Sequence, residues 1–164
     1  MRERLQGWAR RMSRVAALGT MLLASPALAA DRASLDAVSV HLFLQTSGTL
    51  SADVTAMKGF FARNFVPDGE GFAEHERFDD ILVRVRLTAP KEVFAKGGQA
   101  EVVVTDTRTK QVVVRKQIAD VYISPKGWIF IPVYVANVGC RPLEVTATGG
   151  GKRIVKSLQF GCGE

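Results

Sequence analysis

The side chains able to do chemistry in this 164-residue chain are few, and most of them crowd into one stretch. Asp68, Glu70, Glu74, Glu76, Asp79 and Asp80 fall within thirteen positions. Several carboxylate oxygens from one loop are what a hard cation such as calcium requires. The spacing matches no standard calcium loop, and Asp79–Asp80 are also placed to flank the start of a strand. A solvated charged loop is the plainer reading. His41 and His75 are the only histidines. A transition-metal centre would want both, or one of them with thiolates. His41 falls on the polar face of an alternating segment, where an exposed histidine is ordinary. His75 lies between Glu74 and Glu76, an arrangement that by itself implies no chemistry.

The nucleophiles are equally bare of context. Ser124 precedes Pro125 and Ser157 falls within a strand, so neither occupies the strained strand-to-helix turn of a Gly-x-Ser-x-Gly motif. Gly149-Gly150-Gly151-Lys152 looks superficially like a phosphate loop. It joins two strands, with no helix to follow and supply a dipole, and so reads as a hairpin turn. No acid/base or nucleophile set can be assembled, and no cofactor is implied beyond the calcium alternative.

The two cysteines, Cys140 and Cys162, sit near the end of the chain. Five of the 22 basic residues, but only one of the 16 acidic ones, precede Ala30. Arg2, Arg4, Arg10, Arg11 and Arg14 lead into an apolar run from Val15 to Leu23. Ser25-Pro26-Ala27-Leu28-Ala29 then supplies a small-x-small cleavage pattern. This is a secretory signal, cut after Ala29, and its apolar core is too short to anchor in a bilayer. Cysteines in an exported chain pair most simply with each other. The rest of the chain, 30–164, holds 17 basic and 15 acidic residues, which is no electrostatic footprint for nucleic acid.

The elements that would position these groups are strands. Val38 to Gln45 alternates, with Val38, Val40, Leu42 and Leu44 on one face. Ile81 to Leu87 does the same through Ile81, Val83, Val85 and Leu87. Ala100–Asp106 and Gln111–Ile118 read as a hairpin, and Val121–Ile123 as a short strand. Leu50–Met57 is a weak strand or a crossover. Lys58 to Phe61 is read as a single turn. Asn64 to Asp80 is a connection long enough either to be functional or to hide a short element. About seven to nine short strands without a helix indicate one antiparallel β-sandwich, immunoglobulin-like or related, over 30–164.

The C-terminal segment carries the most specific expectations. Pairing Thr148 with Arg153 across the glycine turn sets Leu143 opposite Leu158 and Ala147 opposite Ile154. Cys140 then falls within one residue of Cys162, and a bulge would remove the offset. A disulfide there would stabilise the fold by roughly 3 kcal/mol. Ahead of it, Trp128, Phe130, Pro132 and Tyr134 share one face of a strand, and Ile129, Ile131, Val133 and Val135 share the other. Pro132 cannot donate to a ladder, so this strand belongs at an edge or carries a bulge. Two apolar faces mean burial by default, or an aromatic face offered to a partner. The composite expectation is an exported, periplasmic or secreted module of a bacterial envelope. It would bind another envelope protein rather than catalyse. The alternatives are a small-ligand or calcium-binding module using 64–80, and an enzyme without a recognisable motif.

Overall fold

The computed structural model describes residues 32–58, 60–63 and 66–160. Among them are twelve strands and no helix. In chain order these are β1 (Ser34–Leu44), β2 (Thr49–Leu50), β3 (Phe61–Arg63), β4 (Val66–Asp68), β5 (Ile81–Thr88) and β6 (Val93–Ala95). They continue with β7 (Ala100–Asp106), β8 (Val112–Ile118), β9 (Val121–Ile123), β10 (Trp128–Val135), β11 (Leu143–Gly149) and β12 (Lys152–Leu158). Two four-stranded antiparallel sheets dominate, ordered β10–β5–β1–β2 and β12–β11–β7–β8. They face one another, with β1 against β11 and β12, and β10 against β8. The result is a β-sandwich-like all-β fold. The strand count exceeds the seven to nine expected because β3, β4 and β6 are only three residues long, too short to show a period. Val121–Ile123 is the short strand expected there, β9.

Alternation accounts for the core. Val38, Val40, Leu42 and Leu44 of β1, Ile81, Val83, Val85 and Leu87 of β5, and Val102 and Val104 of β7 are all buried. Leu143, Val145 and Ala147 of β11 lie beside those of β7 in the second sheet and meet β1 from there. β1 starts earlier than its hydrophobic pattern suggests, at Ser34, because a bulge between Leu35 and Ala37 lets both registers bury Leu35. The β11–β12 hairpin has the register counted from sequence: Thr148 opposite Arg153, Ala147 opposite Ile154, Leu143 opposite Leu158. Its two-residue loop is Gly150-Gly151, with φ of 57° and 76°. Positive φ at both central positions defines the type I′ turn, which glycine adopts at no steric cost.

The Asn64–Asp80 connection hides an element, β4, which pairs with β3; Phe61 therefore opens a strand rather than closing a turn at Lys58. Beneath this excursion lies an aromatic cluster. Phe78 packs on Phe160 with ring centroids 5.6 Å apart, and Phe60 meets Phe160 at 6.2 Å and Phe72 at 6.1 Å. Phe160 thus ties the segment after β12 to the excursion. The export signature in residues 1–29 and the cysteine at 162 lie outside the described residues.

Candidate functional site

The six carboxylates of the excursion are not gathered. Asp68 accepts from the Gly69 amide at 2.8 Å. Glu70 and Glu74 are exposed, Glu74 lying 3.6 Å from the His75 ring. Asp79 accepts from the Gln45 side chain at 2.9 Å. Asp80 accepts from the Asn137 amide at 2.9 Å and from the Tyr134 hydroxyl. Glu76 is 4% exposed, and its Oε2 has no hydrogen-bond partner. Among the described residues no group of three His, Cys, Asp or Glu could hold a metal ion. Asp79 and Asp80 instead pin the start of β5 to its neighbours. An open cleft of about 740 Å³ does exist here, with Val66, Pro67, Phe72, His75 and Arg77 in its wall. Its whole lining comes from one contiguous segment, residues 66–77.

The histidines separate. His75 is exposed at φ 70°, in the turn that precedes β5. His41 departs from expectation: it is on the polar face of β1 but only 7% exposed. The crossover after β2 covers it. Its Nδ1 lies 2.8 Å from the Ser51 carbonyl, and its Nε2 2.9 Å from the Ser39 hydroxyl. The carbonyl can only accept, so Nδ1 donates to it, and in the neutral imidazole Nε2 accepts from Ser39. His41 is a structural bridge. Strand alternation could not reveal this, because the cover comes from irregular chain. The Ser124 hydroxyl accepts from the Lys126 amide at 3.4 Å in the turn before β10, and the Ser157 hydroxyl accepts from the Gln159 side chain. No described cysteine is a free thiol.

The four residues Trp128, Phe130, Pro132 and Tyr134 do come together, at an edge of the first sheet. Among the described residues β10 pairs with β5 on one side only. Two flanking hydrogen bonds set the parity of that ladder: the Ala89 amide donates to the Gly127 carbonyl at 3.0 Å, and the Val138 amide to the Asp79 carbonyl at 2.8 Å. Odd-numbered residues of β5 therefore address β10. Their partners are Ile129, Ile131, Val133 and Val135. Trp128, Phe130, Pro132 and Tyr134 turn their backbone groups away from the sheet. Pro132 stands where a missing N–H removes no ladder bond, which explains how a proline is tolerated within the strand.

The same four residues present their side chains on the outer face. Trp128 is 44% exposed and Tyr134 is 56% exposed. Trp128 and Phe130 meet edge-to-face at 5.3 Å. The Arg84 guanidinium lies 4.2 Å from the centre of the Phe130 ring. Arg84 stands opposite Pro132 in the ladder, and no carboxylate pairs with it among the described residues. Its neighbour Arg86 is neutralised by Asp36. At the far end, Asp80 holds the Tyr134 ring in place, and accepting from the phenol raises its pKa above the ordinary value.

The other sheet edges are defended differently. β8 places Lys116 opposite buried Val102, and β12 places Lys156 opposite buried Val145. Directly opposed residues share a face, so both lysines stand on the inward-facing rows, Lys116 exposed and Lys156 half-buried at the rim. An inward charge on an edge strand penalises a further strand that would bury it. β2 is two residues long, and beyond it the crossover covers β1. The Val40 amide donates to the Asp53 side chain at 3.0 Å, and the Leu42 amide to the Ser51 hydroxyl at 2.9 Å. Of the three long edge strands β8, β10 and β12, β10 alone carries no charge, from Trp128 to Val135. No family model matches the chain, and no curated protein or solved structure matches it.

Proposed function

We propose that this protein is an exported, non-catalytic binding module of the bacterial envelope, which engages another envelope protein through β10. The basic, apolar and small-residue order of residues 1–29 supports export to the periplasm or beyond. The pairing of Cys140 with Cys162 belongs to the same proposal, since an oxidising compartment allows it. The observation that carries the binding role is the contrast among the long edge strands of the two four-stranded sheets: β10 is uncharged and shows an aromatic outer face, while β8 and β12 carry charge. A photo-crosslinking residue at position 128 in cells should give envelope-protein adducts, and one at Val155, equally exposed on β12, should not. Identical adduct patterns from the two positions would remove the reading. Fractionation should find the protein outside the cytoplasm with no titratable thiol, and reducing agent should lower its melting temperature.

A second reading is favoured by the volume of the 66–77 cleft, which is within the range of small-ligand sites. There the protein would bind a small ligand; a small-molecule screen in which nothing raises the melting temperature would exclude this reading.

A further inference from the structure

The geometry of β10 points to a particular occupant: an extended segment of a different protein, carrying a carboxylate that lands on Arg84. This rests on β10 being the binding edge, and it adds which kind of chain the edge accepts.

A strand added beside β10 would pair with the outward groups of Trp128, Phe130, Pro132 and Tyr134, using the mode by which extended peptides extend a sheet. Phe130 and Tyr134 offer both an amide and a carbonyl, whereas Pro132 offers a carbonyl alone. The added residue opposite Pro132 donates its own amide and receives nothing in return. Its side chain shares the outer face with Pro132, and Arg84 flanks Pro132 from the other side. The two flanking backbones are about 9.5 Å apart, two strand spacings. Arg84 already reaches over the first of these two spacings, because its guanidinium lies over the ring of Phe130, itself on β10. An aspartate or glutamate opposite Pro132 would meet that guanidinium over the compact proline ring. A planar guanidinium, stacked and unpaired, is well suited to accept a carboxylate on its free edge.

A second copy of this chain fits poorly. Its own β10 has no acidic residue to offer. Its β8 and β12 edges carry basic residues and no acidic one. A two-fold pairing of β10 with itself centred on Pro132 would oppose two residues that both lack a donor.

Random dodecapeptides displayed on phage and selected on the folded protein provide the test. The enriched peptides should alternate β-branched residues with one acidic residue at a constant place, and should slow amide exchange at Phe130 and Tyr134. Replacing that acid by its amide should weaken binding about tenfold, the scale of one charge-assisted contact. Arg84→Gln should weaken the acidic peptide by the same factor and leave the amide peptide unchanged, with Arg84→Lys between them. Peptides that protect Phe130 and Tyr134 without any acidic preference would overturn this inference and leave β10 as the binding edge. Peptides that protect another surface, or the absence of any enriched peptide, would overturn both.

Discussion

β10 and β12 are both edge strands, both end in a buried residue, and both alternate; they differ in where charge falls. On β12 the inward row reads Ile154, Lys156, Leu158, and the outward row Arg153, Val155, Ser157. On β10 the inward row is Ile129, Ile131, Val133, Val135, and the outward row Trp128, Phe130, Pro132, Tyr134. An inward lysine snorkels to the rim in the monomer, but must be desolvated if another strand covers it. It forbids all partners alike. A proline in the outward row deletes one donor and leaves the remaining groups usable. It is a selective obstacle, and it stands beside the unpaired Arg84. A protein that blunts β8 and β12 with lysine and covers β1 with a crossover, yet leaves β10 to a proline, treats that edge differently.

Moving the β12 device onto β10 has the largest expected effect. Val133 is 3% exposed, opposite Val83 in the core. Val133→Lys should cost more than about 4 kcal/mol and leave the protein unfolded at room temperature or close to it, as judged by circular dichroism. Ile131 is half-buried on the same inward row. There the lysine can reach the rim, so Ile131→Lys should cost about 1–3 kcal/mol, keep the fold, and abolish crosslinking from position 128. Equal destabilisation at 131 and 133 would show that the β10 rim is closed.

The converse exchange is the next largest. Lys156→Val should convert β12 into a second unguarded edge. Concentration-dependent self-association should appear by sedimentation, with stability unchanged or raised by up to about 1 kcal/mol. A strictly monomeric Lys156→Val variant would mean that β12 is protected by something other than this charge. Pro132→Thr tests the β10 device more gently. It restores the outward amide and relaxes the unfolded chain, so stability should fall by no more than about 1 kcal/mol. Self-association should rise where the native protein shows none.

Much of this comparison was legible in the sequence. Pro132 within an apolar run indicated an edge or a bulge, and the structure shows an edge; counting outward from Gly150-Gly151 produced the β11–β12 register, because the tight turn fixes the pairing and a one-residue slip would turn Leu143, Ala147, Ile154 and Leu158 to the other face. The orientation of Lys116 and Lys156 was implicit in those same pairings but invisible without knowing that β8 and β12 are edges. Strand order depends on contacts far apart in sequence. β3, β4 and β6 were missed because three residues contain no period. His41 was misjudged because its cover, Ser51–Val54, bonds to β1 through the side chains of Ser51 and Asp53 as well as through backbone. The acidic stretch suggested a cation site by composition alone. In the fold Asp79 and Asp80 are spent on Gln45, Asn137 and Tyr134, and Glu76 turns inward.

The smallest expected effect concerns how rigidly the outer face is held. The chain has two tyrosines, one on each element that brackets the turn into β10. Tyr134 donates to Asp80, and Tyr122 on β9 donates to Glu92. In both, the carboxylate that accepts from the phenol raises its pKa. A raised folded-state value means that each contact stabilises the fold fully below the ordinary phenol value near 10 and is lost as pH climbs through the folded value. Absorbance at the tyrosinate band should therefore rise later in the native protein than in urea, and thermal stability should decline across that same alkaline window. Asp80→Asn removes the charge facing Tyr134 and leaves Tyr122 alone, so half of the absorbance change should shift back toward the ordinary value. If neither half moves, Asp80 is not what orients Tyr134. The outer face of β10 would then have to be set by the Trp128–Phe130–Arg84 stack alone, and Arg84→Gln should loosen Tyr134 as well.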